Sequence, residues 1–293
     1  MVVAAIGMVL GLWSAGKFGF NLPTKWLTWR ANRDRYAQPP ETIEEADRRI
    51  KDDPKNPRHH LSRSELLSDQ GLHLEALGAV DKALAMRETP EAVETRSRIN
   101  LEAGNFADAI EDAEHAVRLG ASKINTALTI GHALRSKGDF AAAEKQADMM
   151  LELGDTTARP FWLRALALIQ QNKLQEALPD VLKVIRADDS NLGSRLVAAS
   201  VYLDLGDAHN AISQYKKVLE LGDVDPNVFR DLGDAYMMAG DRVQAKATYH
   251  QALAIDPDHA GANEALQSMD RSRVVAISHA VLDNIMRKVS WSG

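Results

Sequence analysis

The chain has 293 residues, a formal net charge of −6, 45% hydrophobic and only 5% aromatic side chains, and no cysteine. The acidic balance argues against general nucleic-acid binding, which needs a basic face. The missing cysteines exclude disulfides, thiolate chemistry and Cys-based zinc sites, and leave the redox compartment open.

The first stretch, Met1 to Gly16, is apolar and carries no charged side chain. A bilayer takes about 20 apolar residues to span, so the run reaches that length only with Lys17 snorkelling and Phe18 to Phe20 at the interface. Trp26 and Trp29 follow among Lys25, Arg30, Arg33 and Arg35. Tryptophan beside basic residues marks a membrane–water interface, and basic side chains on the C-terminal side alone put that side in the cytoplasm. The expectation is therefore a single-pass anchor over residues 1–20, with Lys17, Trp26, Trp29 and Arg30 at the interface and a basic, aromatic linker over 21–40. A soluble buried helix and a cleaved signal are the alternatives, the latter with Ser14-Ala15-Gly16 as its cleavage site, although a positive n-region is missing. Pro39-Pro40 closes this piece. Thr42-Ile43-Glu44-Glu45 opens a helix with a capping-box pattern, which places an N-capping helix in residues 41–56.

From Pro57 the chain repeats itself. An inner alanine recurs as Ala76, Ala109, Ala143, Ala177, Ala211 and Ala245, at intervals of 33, 34, 34, 34 and 34 residues. Five positions earlier stands a turn residue: Gly71, Gly104, Gly138, Asn172, Gly206 and Gly240. A third column holds only small residues, Ser64, Ser97, Gly131, Ala165, Ala199 and Gly233, as closely packed antiparallel helices require. In the last copy Phe229, Leu232 and Tyr236 form one helical stripe, and Ala245, Tyr249 and Ala252 form the other. This period, pattern and turn resemble the tetratricopeptide repeat, a helix–turn–helix unit of 34 residues. The resemblance implies an all-α, right-handed α-solenoid of about six units. They run 57–89, 90–123, 124–157, 158–191, 192–225 and 226–259, with capping helices on either side. His60 and Arg195 stand in the Phe229 column and predict looser packing in repeats one and five. Asn100, in the Tyr236 column, is the weakest match. Pro179 falls inside a second helix and predicts a kink or a broken first turn. Residues 260–293 hold an amphipathic capping helix and then an apolar one, from Val274 to Trp291, suited to capping or docking.

No chemistry is legible. The nine histidines lack metal-ligand spacing, and neither a nucleophile elbow nor a phosphate-cradling loop occurs. The acidic residues cluster at turns and helix starts, where they cap. No enzyme activity and no cofactor are expected.

In the family, the first helices of successive repeats line a concave face that binds peptides or partner helices. The resemblance places Glu65, Arg98, His132 and Leu128 on that face in the early repeats, Trp162, Leu163 and Leu166 in repeat four, Leu196, Val197 and Leu203 in repeat five, and Met237 and Met238 in repeat six. Leu163, Val197 and Met238 occupy columns that usually face the open groove, and an apolar patch between polar flanks marks an interaction site. The carboxylate clamp of chaperone-binding members is absent, since Leu61, Glu65, Thr95, Asn125 and Thr129 stand in its places, so chaperone C-terminal tails are not expected as partners. The expected function is a membrane-anchored scaffold that binds other proteins through an apolar groove. The alternatives are a structural or assembly subunit of a larger membrane complex, and a secreted or periplasmic repeat protein.

Overall fold

The computed structural model describes residues 42–222 and 225–271. The anchor segment, including Lys17, Trp26, Trp29 and Arg30, and the apolar stretch from Val274 to Trp291 lie outside the described residues. Among the described residues no helix is long and apolar enough to cross a membrane, and there is no strand.

The fold is an all-α solenoid of helical hairpins packed in sequence, and it divides into two compact units, up to Ala187 and from Asp188. The first unit begins with α1 (Ile43–Asp52), whose N-cap Thr42 accepts a bond from Glu45 N at 3.2 Å. α1 packs on the first of four hairpins: α2 (Pro57–Asp69) with α3 (His73–Met86), α4 (Pro90–Glu102) with α5 (Phe106–Arg118), α6 (Lys123–Ser136) with α7 (Phe140–Glu152), and α8 (Ala158–Gln170) with α9 (Leu174–Ala187). Within this unit α3, α5 and α7 each pack on the first helix that follows, and the first helices also touch one another in succession. The second unit holds α10 (Leu192–Asp204) with α11 (Ala208–Glu220) and α12 (Pro226–Met238) with α13 (Arg242–Ile255), followed by α14 (260–271). Ala262 and Met269 of α14 join the apolar core around Tyr215, Leu232 and Tyr249.

The columns explain why these residues form hairpins. All six inner alanines are completely buried. The six turn residues adopt left-handed backbone, with φ from 77° to 85° at the glycines and 60° at Asn172. Asp139, Asp207 and Asp241 then cap the following helices, accepting from Ala142, Asn210 and Gln244 N at 3.1, 3.1 and 3.0 Å. In the small-residue column the helices come close enough for Ser97 Oγ to donate across the hairpin to Ala109 O at 2.6 Å.

Three expectations meet physical answers here. α9 runs unbroken through Pro179, which lies past the first turn but on the exposed side, where water can reach the Gln175 carbonyl left without its ladder partner. Arg195 is buried but not loose: its guanidinium donates to Asp189 O, Asp189 Oδ1 and Gln214 Oε1 at 2.8, 3.0 and 3.0 Å. Asn100, buried in helix α4, donates to Asp112 Oδ2 at 3.0 Å and accepts from Asn105 Nδ2 at 3.2 Å. The apolar column is therefore satisfied by a polar contact in repeat two.

Repeats two and four carry the same ionic tie. Arg96 donates twice to Asp112, at 2.9 and 2.6 Å, and once to Asp81, at 3.1 Å. Arg164 donates twice to Asp180, at 2.7 and 2.9 Å, and once to Asp148, at 2.9 Å. Each arginine binds the second helix of its own hairpin through a nearly buried aspartate and the second helix of the preceding one through an exposed aspartate. The carboxylates hold both guanidinium pKa values above the ordinary range.

Candidate functional site

In the first unit the successive contacts of α2, α4, α6 and α8 make one continuous face. Its central column reads Glu65, Arg98, His132 and Leu166, at the repeat interval. The first half is ionic. Arg98 lies 3.9 Å from Glu65 Oε1 and 3.7 Å from Glu102 Oε1, and Ser68 Oγ donates to Glu102 Oε2. His73 Nδ1 stands 4.0 Å from the same carboxylate oxygen. These charges lie mostly out of solvent, so they attract more strongly than a surface pair would. In the second half the central column itself carries no charge. Burial, aided by the positive Arg135, pulls the His132 imidazole down to about 3, so it is neutral at pH 7. Burial also lowers the Arg135 pKa. Beyond them Trp162, Leu166 and Ile169 are half-buried on α8. The face thus changes from charged to apolar along the first unit.

The structure corrects two assignments on this face. Leu163 is fully buried, packed with Ala127, Leu128, Ala147 and Met150. It fills the hollow left by Gly131, where an added Cβ would lie 3.2 Å from Leu163 Cδ1. Thr95 and Thr129, in the same column, are buried too, so in these repeats the column faces the neighbouring hairpin rather than the open face. Leu128 belongs to the same core and is 7% exposed. Neither residue offers a ligand more than an edge. Trp162 and Leu166 keep partial exposure.

The second unit presents its own residues. Leu196 and Leu203 on α10 and Met237 on α12 are half-buried against the core of that unit. Val197 is half-buried, and Met238 is 51% exposed. Beside them on α12, Arg230 lies 2.7 Å from Asp231 and donates to Asp234 at 2.9 Å, and Tyr249 Oη donates to Asp234 Oδ1 at 2.6 Å. Burial, with the charges of Asp234 and Asp225 added and Arg230 opposing, pushes the Asp231 carboxyl up to about 7. A free aspartate titrates near 3.9. The folded chain therefore holds this proton more tightly than the unfolded chain does. Its contribution to stability is complete below about pH 4 and is lost as the pH rises towards 7. Asp231→Asn is expected to flatten the dependence of thermal stability on pH across that window; an unaltered slope would remove Asp231 as its source.

Among the described residues no group of three or more His, Asp or Glu is placed to hold a metal. Sequence reasoning passed over the Arg–Asp ties, although the arginine and aspartate stand 16 residues apart in both repeats. It also passed over Gly120, Gly154 and Gly222, which turn the chain out of second helices with φ of 101°, 86° and 98°.

Models of the tetratricopeptide repeat match residues 61–124, 128–191 and 202–268. A curated relative, DnaJ homolog subfamily C member 3 of Gallus gallus, is 25% identical over 182 residues. The match covers 56% of this chain and 35% of the relative, so the chain spans about a third of that protein. Three solved structures share the fold. A tetratricopeptide repeat protein from Parabacteroides merdae has a TM-score of 0.55 and 16% identity over 77% of this chain and 90% of its own. The C-terminal part of a repeat protein from Cytophaga hutchinsonii has a TM-score of 0.58 and 18% identity over 76% and 92%. A chain of the APC/C hetero-tetramer Cut9–Hcn1 has a TM-score of 0.63 and 16% identity over 76% and 44%.

Proposed function

We propose, from the premise that the chain belongs to the tetratricopeptide repeat family, that it is a protein-binding scaffold whose first unit grips a partner segment along the face of α2, α4, α6 and α8. The observation that carries this reading is the change of character along one column, from the Glu65–Arg98–Glu102 charges to the half-buried Trp162 and Leu166. A segment with charged residues at one end and an apolar anchor at the other fits such a face, the charges fixing its direction and the apolar end supplying affinity. Binding is by recruitment, with no turnover. A photo-crosslinking amino acid at Leu166 is expected to join a discrete partner, while the same amino acid at the exposed Glu111 of α5 joins none of it. Equal labelling from both positions would reject the face.

The apolar run Met1–Gly16 and the basic, Trp-bearing stretch after it support a second element, an N-terminal anchor that holds the repeats at the cytoplasmic surface of a membrane. Alkaline extraction of native membranes is expected to leave the full-length chain in the pellet. A mature chain with the mass of a product cut after Gly16 would replace the anchor by a cleaved signal.

A further inference from the structure

Repeat four shows what surrounds a tie arginine. Arg164 clamps the Asp180 carboxylate across the hairpin and reaches back to Asp148, and Lys183 Nζ stands 4.0 Å from the centroid of the Phe161 ring. Repeat two has Arg96, Asp112 and Asp81 in the same three positions. One further step back along the period, the positions are held by Arg63, Ala79 and Asp47, with Lys82 and His60 in the places of Lys183 and Phe161. Arg63 also reaches backward, with α1 in the role of a preceding second helix, but it donates to Asp47 Oδ1 through Nε at 2.5 Å, the atom that Arg96 and Arg164 turn to the acid across the hairpin, so its two terminal amino groups are the fork left over. Where the other arginines find a carboxylate across the hairpin, Arg63 finds a methyl group.

The space of the missing acid is open. Asp47, Ile50, His60, Arg63, Ala79 and Lys82 line a cavity of about 210 Å³ between α1, α2 and α3. A water molecule occupies about 30 Å³ of liquid, so there is room for a small acid group and its hydration. The lining carries two cations and one carboxylate. His60 adds no charge at neutral pH, because burial first, and then Lys82 and Arg63, lower its pKa. The guanidinium is held in place by Asp47 and presents its remaining N–H groups as a fork suited to two coplanar oxygens.

We propose that this cavity is a binding site for a carboxylate, which takes in repeat one the place that Asp112 and Asp180 hold in repeats two and four. The carboxylate is either a small free acid or the acidic side chain of a bound protein segment. The site lies apart from the face of α2, α4, α6 and α8 and does not depend on what binds there.

The test is thermal unfolding of the full chain at constant ionic strength as chloride is replaced by acetate. A saturable rise in Tm is expected for the wild type, about 2–4 °C once acetate reaches some five times its Kd. Ala79→Asp supplies the carboxylate internally and is expected to start from a higher Tm and to respond no further. Arg63→Gln is expected to lose the response, and it decides the matter if Ala79→Asp fails to fold. A wild type without a saturable response, or equal responses in wild type and Arg63→Gln, would overturn the site. Blocked Gly-Asp-Gly acting below the concentrations acetate requires, with blocked Gly-Asn-Gly inert, assigns the site to a protein side chain. Acetate acting where neither peptide does assigns it to a free acid.

Discussion

Leu163→Glu is expected to destabilise the first unit by roughly 4 kcal/mol or more, combining the loss of a buried Leu with the burial of a carboxylate that has no partner. The cause is the Gly131 hollow. Leu163 is completely enclosed there by Ala127, Leu128, Ala147 and Met150, and a longer, charged side chain can leave only by parting α6 from α8. Leu166→Glu, at a half-buried position one turn further along α8, is expected to cost about 1 kcal/mol or less. Urea denaturation followed by circular dichroism separates the two, since the first variant lowers the midpoint steeply and the second barely moves it. Matching midpoints would mean that Leu163 does not seat α8 on α6. The contrast also identifies the substitution suited to probing partner binding: Leu166, on a surface that survives the change.

The other large effect belongs to the second unit. An added Cβ at Gly233 would stand 2.6 Å from Tyr249 Cδ1 and 3.0 Å from its Cζ, closer than carbon atoms tolerate. Tyr249 is 1% exposed, and its hydroxyl is bonded to Asp234, so the ring can neither tilt nor withdraw. Overpacking of this kind costs about 1–3 kcal/mol, and here the upper end applies; the helix propensity of Ala over Gly returns about 1 kcal/mol. Gly233→Ala is expected to lose about 2 kcal/mol net. Repeat five has Ala199 and Tyr215 at the equivalent positions, both in the core, with Ser200 where Asp234 stands. The tether is therefore the difference, and in a Tyr249→Phe background the same Gly233→Ala change is expected to cost measurably less. A double-mutant cycle by thermal unfolding reads the coupling; strict additivity would show that the hydroxyl does not hold the ring.

How much of this was legible follows from what each column depends on. The inner alanines and the left-handed turn residues answer to geometry within a single hairpin, so their period alone revealed the hairpins. The orientation of Leu163 depends on two hairpins at once. Threonine precedes it in that column, and nothing in the 158–191 segment reports that Gly131 has left a space for it. Asn100 looked out of place because an apolar column admits a polar residue only when a partner stands opposite. That partner, Asp112, lies on the other helix of the hairpin, and its role becomes readable only when Arg96 and Asp112 are aligned with Arg164 and Asp180. The cavity at Arg63 is the same lesson inverted: Ala79 is unremarkable by itself and informative only against the aspartates one and three periods later.

The turn between paired helices also bears on chirality. Five of its six occurrences place glycine at φ between 77° and 85°, and a Cβ built on any of those five meets no atom within 4 Å. Space does not demand glycine there; the sign of φ does. At these positions glycine, which has no handedness, stands in for a residue of the mirror-image series, which would occupy the same backbone without strain and with fewer conformations to give up on folding. Asn172, at φ 60°, is the one turn where an L-residue accepts that backbone. The array is thus a chain of right-handed helices whose registration rests on a regularly spaced set of achiral residues.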